Sequence, residues 1–249
     1  MAQAVIPGEP QKEKALEAII LAGGLGTRLR ETVPDLPKPM APVAGRPFLA
    51  WLLDYLSAQG IRRAVLSVGY RHEAISDCFG ASHGEIELSY CVEASPLGTG
   101  GALRESLRHV RGDAAFVLNG DTLAHVDYRT MLARHREQGS TFSMALGPVP
   151  DASRYGLVEV AGERVVSFRE KSPGSRGLIN LGVYVANADI FSGYTLPERF
   201  SFEQDFMLPH LHRLSPLAFV TDGYFIDIGV PEDFQRAQTE LPARFAPEP

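Results

Sequence analysis

Glu17-Ala-Ile-Ile-Leu-Ala-Gly-Gly-Leu-Gly-Thr-Arg28 runs a short apolar segment, Glu17–Ala22, straight into three glycines, a threonine and an arginine. An apolar run this short, stopped by glycine, fits a strand buried on both faces, as in parallel sheets. Glycines after such a strand let the backbone approach a phosphate, and successive free N–H groups form an anion nest. Arg28 adds a planar fork that binds phosphate through two donors. The Gly-Lys-Ser/Thr of a P-loop is missing, and after Gly24 and Gly26 the last glycine of GxGxxG falls on Leu29. Taken alone, the glycines also fit a tight strand-to-helix turn.

Outward from this stretch, strand and helix patterns alternate. Phe48–Gln59 has helical spacing and stops at Gly60, a natural C-terminal cap. Ala64–Val68 reads as a strand, His72–Phe79 as a helix, Ile86–Val92 as a strand and Gly100–Val110 as a helix. Ala115–Leu118 and Thr141–Leu146 are strands that flank a helix over Tyr128–Gln138. This alternation predicts a Rossmann-like, doubly wound α/β sheet with ligands at the carboxyl ends of its strands. The remainder is strand-rich: a hairpin of Leu157–Val160 and Val165–Arg169, then Leu181–Val185, Phe219–Val220 and Tyr224–Ile228. Helices are expected over Phe202–Leu214, interrupted by Pro209, and over Glu232–Leu241 after Pro231. One domain is expected over residues 15–241, with residues 1–14 and 242–249 as loose tails.

Composition narrows the class. The 249 residues are 45% hydrophobic, ample for a core, and 24 basic against 30 acidic residues leave a net charge of −6. No basic block suits a nucleic-acid backbone, so small anions held by local cations are the expected ligands. No apolar run is long enough to span a membrane and no signal-peptide pattern is evident, so a cytoplasmic protein is expected. Cys78 and Cys91 are expected as buried or half-buried free thiols. His210-x-His212 is expected on a helix surface.

Three further segments carry chemistry. Lys38 stands between Pro37 and Pro39, which hold the backbone extended and aim the lysine; a solvated loop lysine is the plain alternative. Pro96-Leu-Gly-Thr-Gly-Gly-Ala102 opens a helix, for which Thr99 is also a plausible N-cap. Asp121 and Asp227 each end a short apolar strand, a good position for holding Mg²⁺ through a carboxylate oxygen; turns or caps explain either one alone.

The pair GGLGTRL and PKP, behind one N-terminal strand, resembles the sugar-1-phosphate nucleotidyltransferases, and the resemblance continues in order from about Glu17 to Gln238. It implies a nucleotide-binding part over about residues 15–146 and a sugar-binding part over about 147–241. Nucleotide contacts are implied at Leu21, Ala22, Gly23, Gly24, Gly26, Thr27, Gly98 and Thr99. Arg28 and Lys38 are implied on the triphosphate and Asp121 and Asp227 on Mg²⁺. Tyr155, Gly156, Glu170 and Asn180 are implied on the sugar, with Lys171 on its phosphate. The implied reaction is in-line attack of a sugar 1-phosphate oxygen on the α-phosphorus of an NTP, with pyrophosphate leaving.

Within the family, Pro-Lys-Pro-Met-Ala-Pro without a preceding Pro-Leu-Thr, Gly45-Arg-Pro-Phe-Leu49 and Pro96-Leu-Gly-Thr-Gly-Gly look most like the branch of guanylyltransferases that acts on D-glycero-α-D-manno-heptose 1-phosphate. GTP is therefore the expected nucleotide, a GDP-heptose for surface polysaccharide the expected product, and a homodimer the default assembly. A mannose-1-phosphate guanylyltransferase, a uridylyl- or thymidylyltransferase and a catalytically silent, ligand-sensing relative are the alternatives. A silent relative is expected to lose Arg28, Lys38 or Asp121, and all three are present. A dinucleotide oxidoreductase is disfavoured by the missing glycine.

Overall fold

The computed structural model describes residues 15–24, 36–69, 71–170 and 174–245. In chain order its strands and helices are β1 (Leu16–Leu21), β2 (Pro42–Val43), β3 (Arg46–Pro47), α1 (Phe48–Ala58), β4 (Ile61–Val68), α2 (Glu73–Phe79), β5 (Ser82–His83), β6 (Ile86–Val92), α3 (Gly98–Leu107), β7 (Ala114–Asn119), β8 (Thr122–Ala124), α4 (Tyr128–Glu137) and β9 (Phe142–Val149). The second half adds β10 (Leu157–Ala161), β11 (Arg164–Arg169), β12 (Gly177–Asn187), α5 (Leu211–Leu214), β13 (Leu217–Val220), β14 (Phe225–Asp227) and α6 (Pro231–Phe245).

Ten strands form one sheet in the order β10-β11-β13-β9-β12-β7-β1-β4-β6-β5. The run β7-β1-β4-β6 is parallel. The chain leaves β1 for β4 on one side and returns to β7 on the other. The carboxyl ends of β1 and β7 therefore flank the crevice where the strand order reverses, the ligand position of open α/β sheets. The packing face alternates along β1: Ala18 and Ile20 pack with Phe48, Leu52 and Phe116, while Ile19 packs on the opposite face with Val117, Leu103 and Phe200. Side chains point to alternate faces of a strand, so an apolar run buried on both sides belongs inside a two-layered cover.

The mixed α/β fold expected from the sequence is the one found, with element ends shifted by a few residues. The last helix runs on through Pro242 to Phe245 rather than ending at Leu241. Phe245 packs its ring against Tyr55 and Tyr224, which holds this turn of helix where a loose tail was expected. Cys91 is buried, but Cys78 is exposed on α2, because that helix presents Ile75 and Phe79 to the core instead. Among the described residues no helix is long and apolar enough to cross a membrane.

The entry to α3 depends on two glycines packed against the loop at Phe200. Gly98 has φ +70°, and a Cβ there would lie 2.5 Å from the Phe200 carbonyl oxygen. A Cβ on Gly100 would lie 2.2 Å from the Phe200 ring, which is fully enclosed. Gly100→Ala is expected to cost about 1–3 kcal/mol through overpacking. A denaturant midpoint equal to that of the parent would refute the tight packing.

Candidate active site

A cleft of about 480 Å³ opens over the carboxyl ends of the parallel strands. Leu21, Ala22, Gly23 and Gly24 line it from the end of β1, and Gly98 and Thr99 from the start of α3. Lys38 and Asp121 line it as well. These eight residues were expected at the nucleotide or the metal, and the fold brings them to one place. Gly26, Thr27, Arg28 and Lys171 lie outside the described residues.

Lys38 is not on extended backbone as expected. Pro37 is extended (φ −56°, ψ 142°), but Lys38–Met40 then closes a 3₁₀ turn, with the Met40 N–H donating to the Pro37 carbonyl. Pro39 and Met40 are buried, so apolar anchoring of the turn sets where the lysine points. Its Nζ donates to Asp121 Oδ2 and sits 3.8 Å from Asp227 Oδ1. The lysine side chain is 11% exposed, which rules out the solvated-loop alternative.

The two aspartates meet through a small second sheet. β8 and β14 pair antiparallel with Asp227 opposite Thr122, and the Ile228 N–H donates to the Asp121 carbonyl at 3.0 Å. Asp227 also serves the turn that follows it: its Oδ1 accepts the Gly229 N–H at 2.7 Å. Among the described residues no cluster of three or more His, Cys, Asp and Glu side chains forms a metal site.

Thr99 is not the N-cap of α3; Leu97 holds that position, and the helix starts at Gly98. The Thr99 hydroxyl instead accepts the Phe202 N–H at 2.9 Å, tying the helix entry to the second half of the chain.

The residues expected at the sugar converge by register. Leu157 of β10 is paired with Arg169 of β11 and with Ile179 of β12. One step further along these antiparallel strands, Gly156 is level with Glu170 and Asn180. Glu170 is exposed. The Tyr155 ring packs edge-on against Phe225, two residues before Asp227. Asn180 is already engaged: its Nδ2 donates to the Tyr184 hydroxyl at 2.6 Å and its Oδ1 accepts the Gly182 N–H at 2.9 Å. These bonds span an irregular stretch of β12, in which a Cβ on Gly182 would lie 2.7 Å from Asn119 Nδ2. Asn119 lines the cleft, so packing links the two regions.

Sequence reasoning missed four polar residues of the cleft: Ser67, Glu93, Asn119 and Arg199. Ser67 lies in an expected strand and Asn119 directly after one, where nothing marked them as polar lining. Asp233, buried in the first turn of α6, was also missed. It pairs with Arg154 and with Arg236, each at 2.7 Å, and so anchors the loop that carries Tyr155 and Gly156.

The sequence profile of the family described as Nucleotidyl transferase matches residues 17–244. The chain belongs to the nucleotidyl transferase family. Among the similar curated relatives of this nucleotidyl transferase is the D-glycero-alpha-D-manno-heptose 1-phosphate guanylyltransferase of Aneurinibacillus thermoaerophilus, 46% identical over 91% of this chain and 98% of the relative. The enzyme of that name from Campylobacter jejuni is 44% identical over 88% of this chain and 97% of its own length. A mannose-1-phosphate guanylyltransferase of Mycobacterium tuberculosis is 35% identical, but 67% of it is covered. The crystal structure of HddC from Yersinia pseudotuberculosis complexed with GMP-PN superposes with a TM-score of 0.81 at 36% identity, covering 90% of this chain and 99% of that one.

Proposed function

We propose that this nucleotidyl transferase uses GTP and D-glycero-α-D-manno-heptose 1-phosphate, releasing pyrophosphate and a GDP-heptose that serves surface polysaccharide synthesis in the cytoplasm. The observation that carries the chemistry is the Lys38 ammonium held between Asp121 and Asp227 over the sheet crevice. The heptose reading is supported by two relatives of matching length, whereas the mannose-specific relative is half as long again. The mannose reading is the runner-up. A homodimer is part of the proposal; neither nucleic acid nor membrane is.

The donor set fits Mg²⁺. Mg²⁺ typically takes one or two protein carboxylates and completes its octahedron with phosphate oxygens and water. Asp121 and Asp227 already converge on one cationic atom, Lys38 Nζ, so the two carboxylates lie close enough together to share a cation. When bound, the ion neutralises charge that builds on the phosphates. The protein's own part is binding and orientation. A sugar 1-phosphate oxygen forms the new bond to the α-phosphorus while the bond from that phosphorus to the bridging oxygen breaks, and pyrophosphate leaves with the electron pair. The attacking oxygen is anionic at neutral pH, so no side chain need remove a proton. Lys38 and Arg28 hold the triphosphate, Lys171 holds the sugar phosphate, and Gly23, Gly24, Gly26, Thr27 and Gly98 bring backbone close to the nucleotide. Tyr155, Gly156, Glu170 and Asn180 border the sugar.

Pyrophosphate release measured over a grid of NTPs and sugar 1-phosphates, with and without Mg²⁺, tests this reading. Turnover confined to GTP with the heptose phosphate, and dependent on Mg²⁺, is expected. Turnover with mannose 1-phosphate in its place would move the assignment to the runner-up. Binding without turnover for every pair would favour the ligand-sensing alternative. Asp233→Asn is expected to raise KM for the sugar phosphate several-fold and leave KM for GTP unchanged, because it loosens the Arg154 anchor on one side only. An equal change in both constants would sink that division of labour.

A further inference from the structure

The hairpin that follows Lys38 is gripped by a residue near the other end of the chain. Its strands β2 and β3 pair Val43 with Arg46, which leaves Ala44 and Gly45 as a two-residue loop. Both have positive φ, +50° at Ala44 and +80° at Gly45. Two-residue hairpin loops favour that combination, but it suits glycine or asparagine, and an alanine there is strained. Alanine also has no polar atom with which to hold the turn. Gln238 of α6 supplies the missing contacts: its Oε1 accepts the Ala44 N–H at 2.8 Å, and its Nε2 donates to the Pro42 carbonyl at 3.0 Å. One half-buried side chain thus grips the loop and the first strand together.

The base of this hairpin is the Lys38 turn. The Ala41 N–H donates to the Lys38 carbonyl and the Phe48 N–H to the Ala41 carbonyl, each at 3.0 Å. The helix that carries Gln238 starts just after Gly229, whose N–H is held by Asp227. A Cβ on Gly229 would lie 2.8 Å from Lys38 Nζ. The ammonium therefore touches the turn before α6, while the backbone behind it is tied to a later point on the same helix. The stretch from Pro231 to Gln238, at ~1.5 Å per residue, spans about 10 Å. Ala237 and Leu241 are fully buried, so this part of the helix is fixed to the core.

We infer that Gln238 is a positioning residue for Lys38: it fixes the backbone behind the lysine relative to Asp227, so the ammonium keeps its place when a triphosphate draws on it. This rests on Lys38 holding the triphosphate. A lysine carries its charge on a flexible four-carbon stem, so Nζ is placed only as well as the backbone and walls around it are. Misplacing a reacting group by about 1 Å can cost on the order of 10²-fold in rate. Buried Pro39 and Met40 also anchor the turn, so loss of the Gln238 grip alone is expected to cost less. The same helix acts on the other substrate through Asp233, whose partner Arg154 belongs to the sugar-side loop. One helix thus carries two clamps, and their effects should separate by substrate.

A double-mutant cycle tests this, with kcat/KM for GTP measured in the parent, Gln238→Ala, Lys38→Ala and the pair. Gln238→Ala is expected to lower kcat/KM for GTP about 10-fold and to leave KM for the sugar phosphate unchanged. In the Lys38→Ala background the same change is expected to cost less than about twofold, because a residue that acts through the lysine has nothing left to place. An equal loss in both backgrounds would overturn the inference and leave Gln238 a general support of the fold. No loss in the parent would overturn it as well. Should Gln238→Ala fold poorly in thermal melts, Gln238→Glu takes its place in the cycle. Its carboxylate still accepts the Ala44 N–H but has no donor for the Pro42 carbonyl. A smaller loss is expected, again confined to the background that keeps Lys38, and an equal loss in both backgrounds overturns the inference here too. Near-parent kcat/KM in Lys38→Ala alone would instead defeat the triphosphate role of the lysine, a different result from a cycle whose losses simply multiply.

Discussion

Lys38→Ala is expected to lower kcat/KM by about 10²-fold or more, the scale of losing one group that stabilises transition-state charge. The ammonium is nearly enclosed and touches two carboxylates, so its removal has two consequences. The triphosphate loses a fixed cation. Asp121 and Asp227 are then left facing each other with their shared counter-charge gone, which strengthens their demand for another cation. The Mg²⁺ concentration giving half-maximal rate should therefore fall in this variant even as the rate itself falls. Steady-state assays across a Mg²⁺ titration read both effects. Near-parent kcat/KM would remove Lys38 from the machinery. A lowered rate with unchanged Mg²⁺ dependence would show that the lysine and the metal do not share these carboxylates.

Asp121→Ala is expected to cost a similar factor of about 10² or more, with little change in stability. The tie from Asp121 to the second half of the chain runs through its backbone carbonyl, which accepts the Ile228 N–H, and survives the substitution. Among the described residues the side chain makes the Lys38 pair and a 3.2 Å bond from the Thr122 hydroxyl. Asp227→Ala should differ, because its Oδ1 also holds the Gly229 N–H of the turn before α6. A lost bond of this kind costs about 1 kcal/mol. Paired thermal melts and rate measurements should therefore show Asp121→Ala as an activity loss alone and Asp227→Ala as a loss of both. Comparable destabilisation in the two variants would contradict the division between backbone and side-chain roles.

The candidate site was legible in parts. Leu21–Gly24 and Gly98-Thr99 could be found because each couples a secondary-structure boundary to a run of glycines, a signal contained in a few neighbouring residues. Lys38 could be found from its flanking prolines, although their effect was misjudged: buried Pro39 and Met40 curl the segment into a 3₁₀ turn that local preference alone did not reveal. Glu93 and Arg199 escaped because each is a single polar residue with no pattern around it. Thr99 misled, since a threonine near a helix start is a natural cap until the Phe202 N–H claims its hydroxyl.

What the sequence by itself determined was the main strands and helices, to within a few residues at their ends, and the glycines, prolines and charged residues near those ends. Side-chain period, glycine stops and proline starts act over a few residues, so they can be read without knowing any neighbour. Only the tertiary structure decided which ends meet. Asp121 reaches Asp227 through the β8–β14 pairing, Gly156 reaches Glu170 and Asn180 through the register of three antiparallel strands, and Glu93 reaches Gly23 because β4 alone separates β6 from β1. These neighbours are set by burial of whole strands and helices against one another, a long-range balance in which no short segment carries the answer.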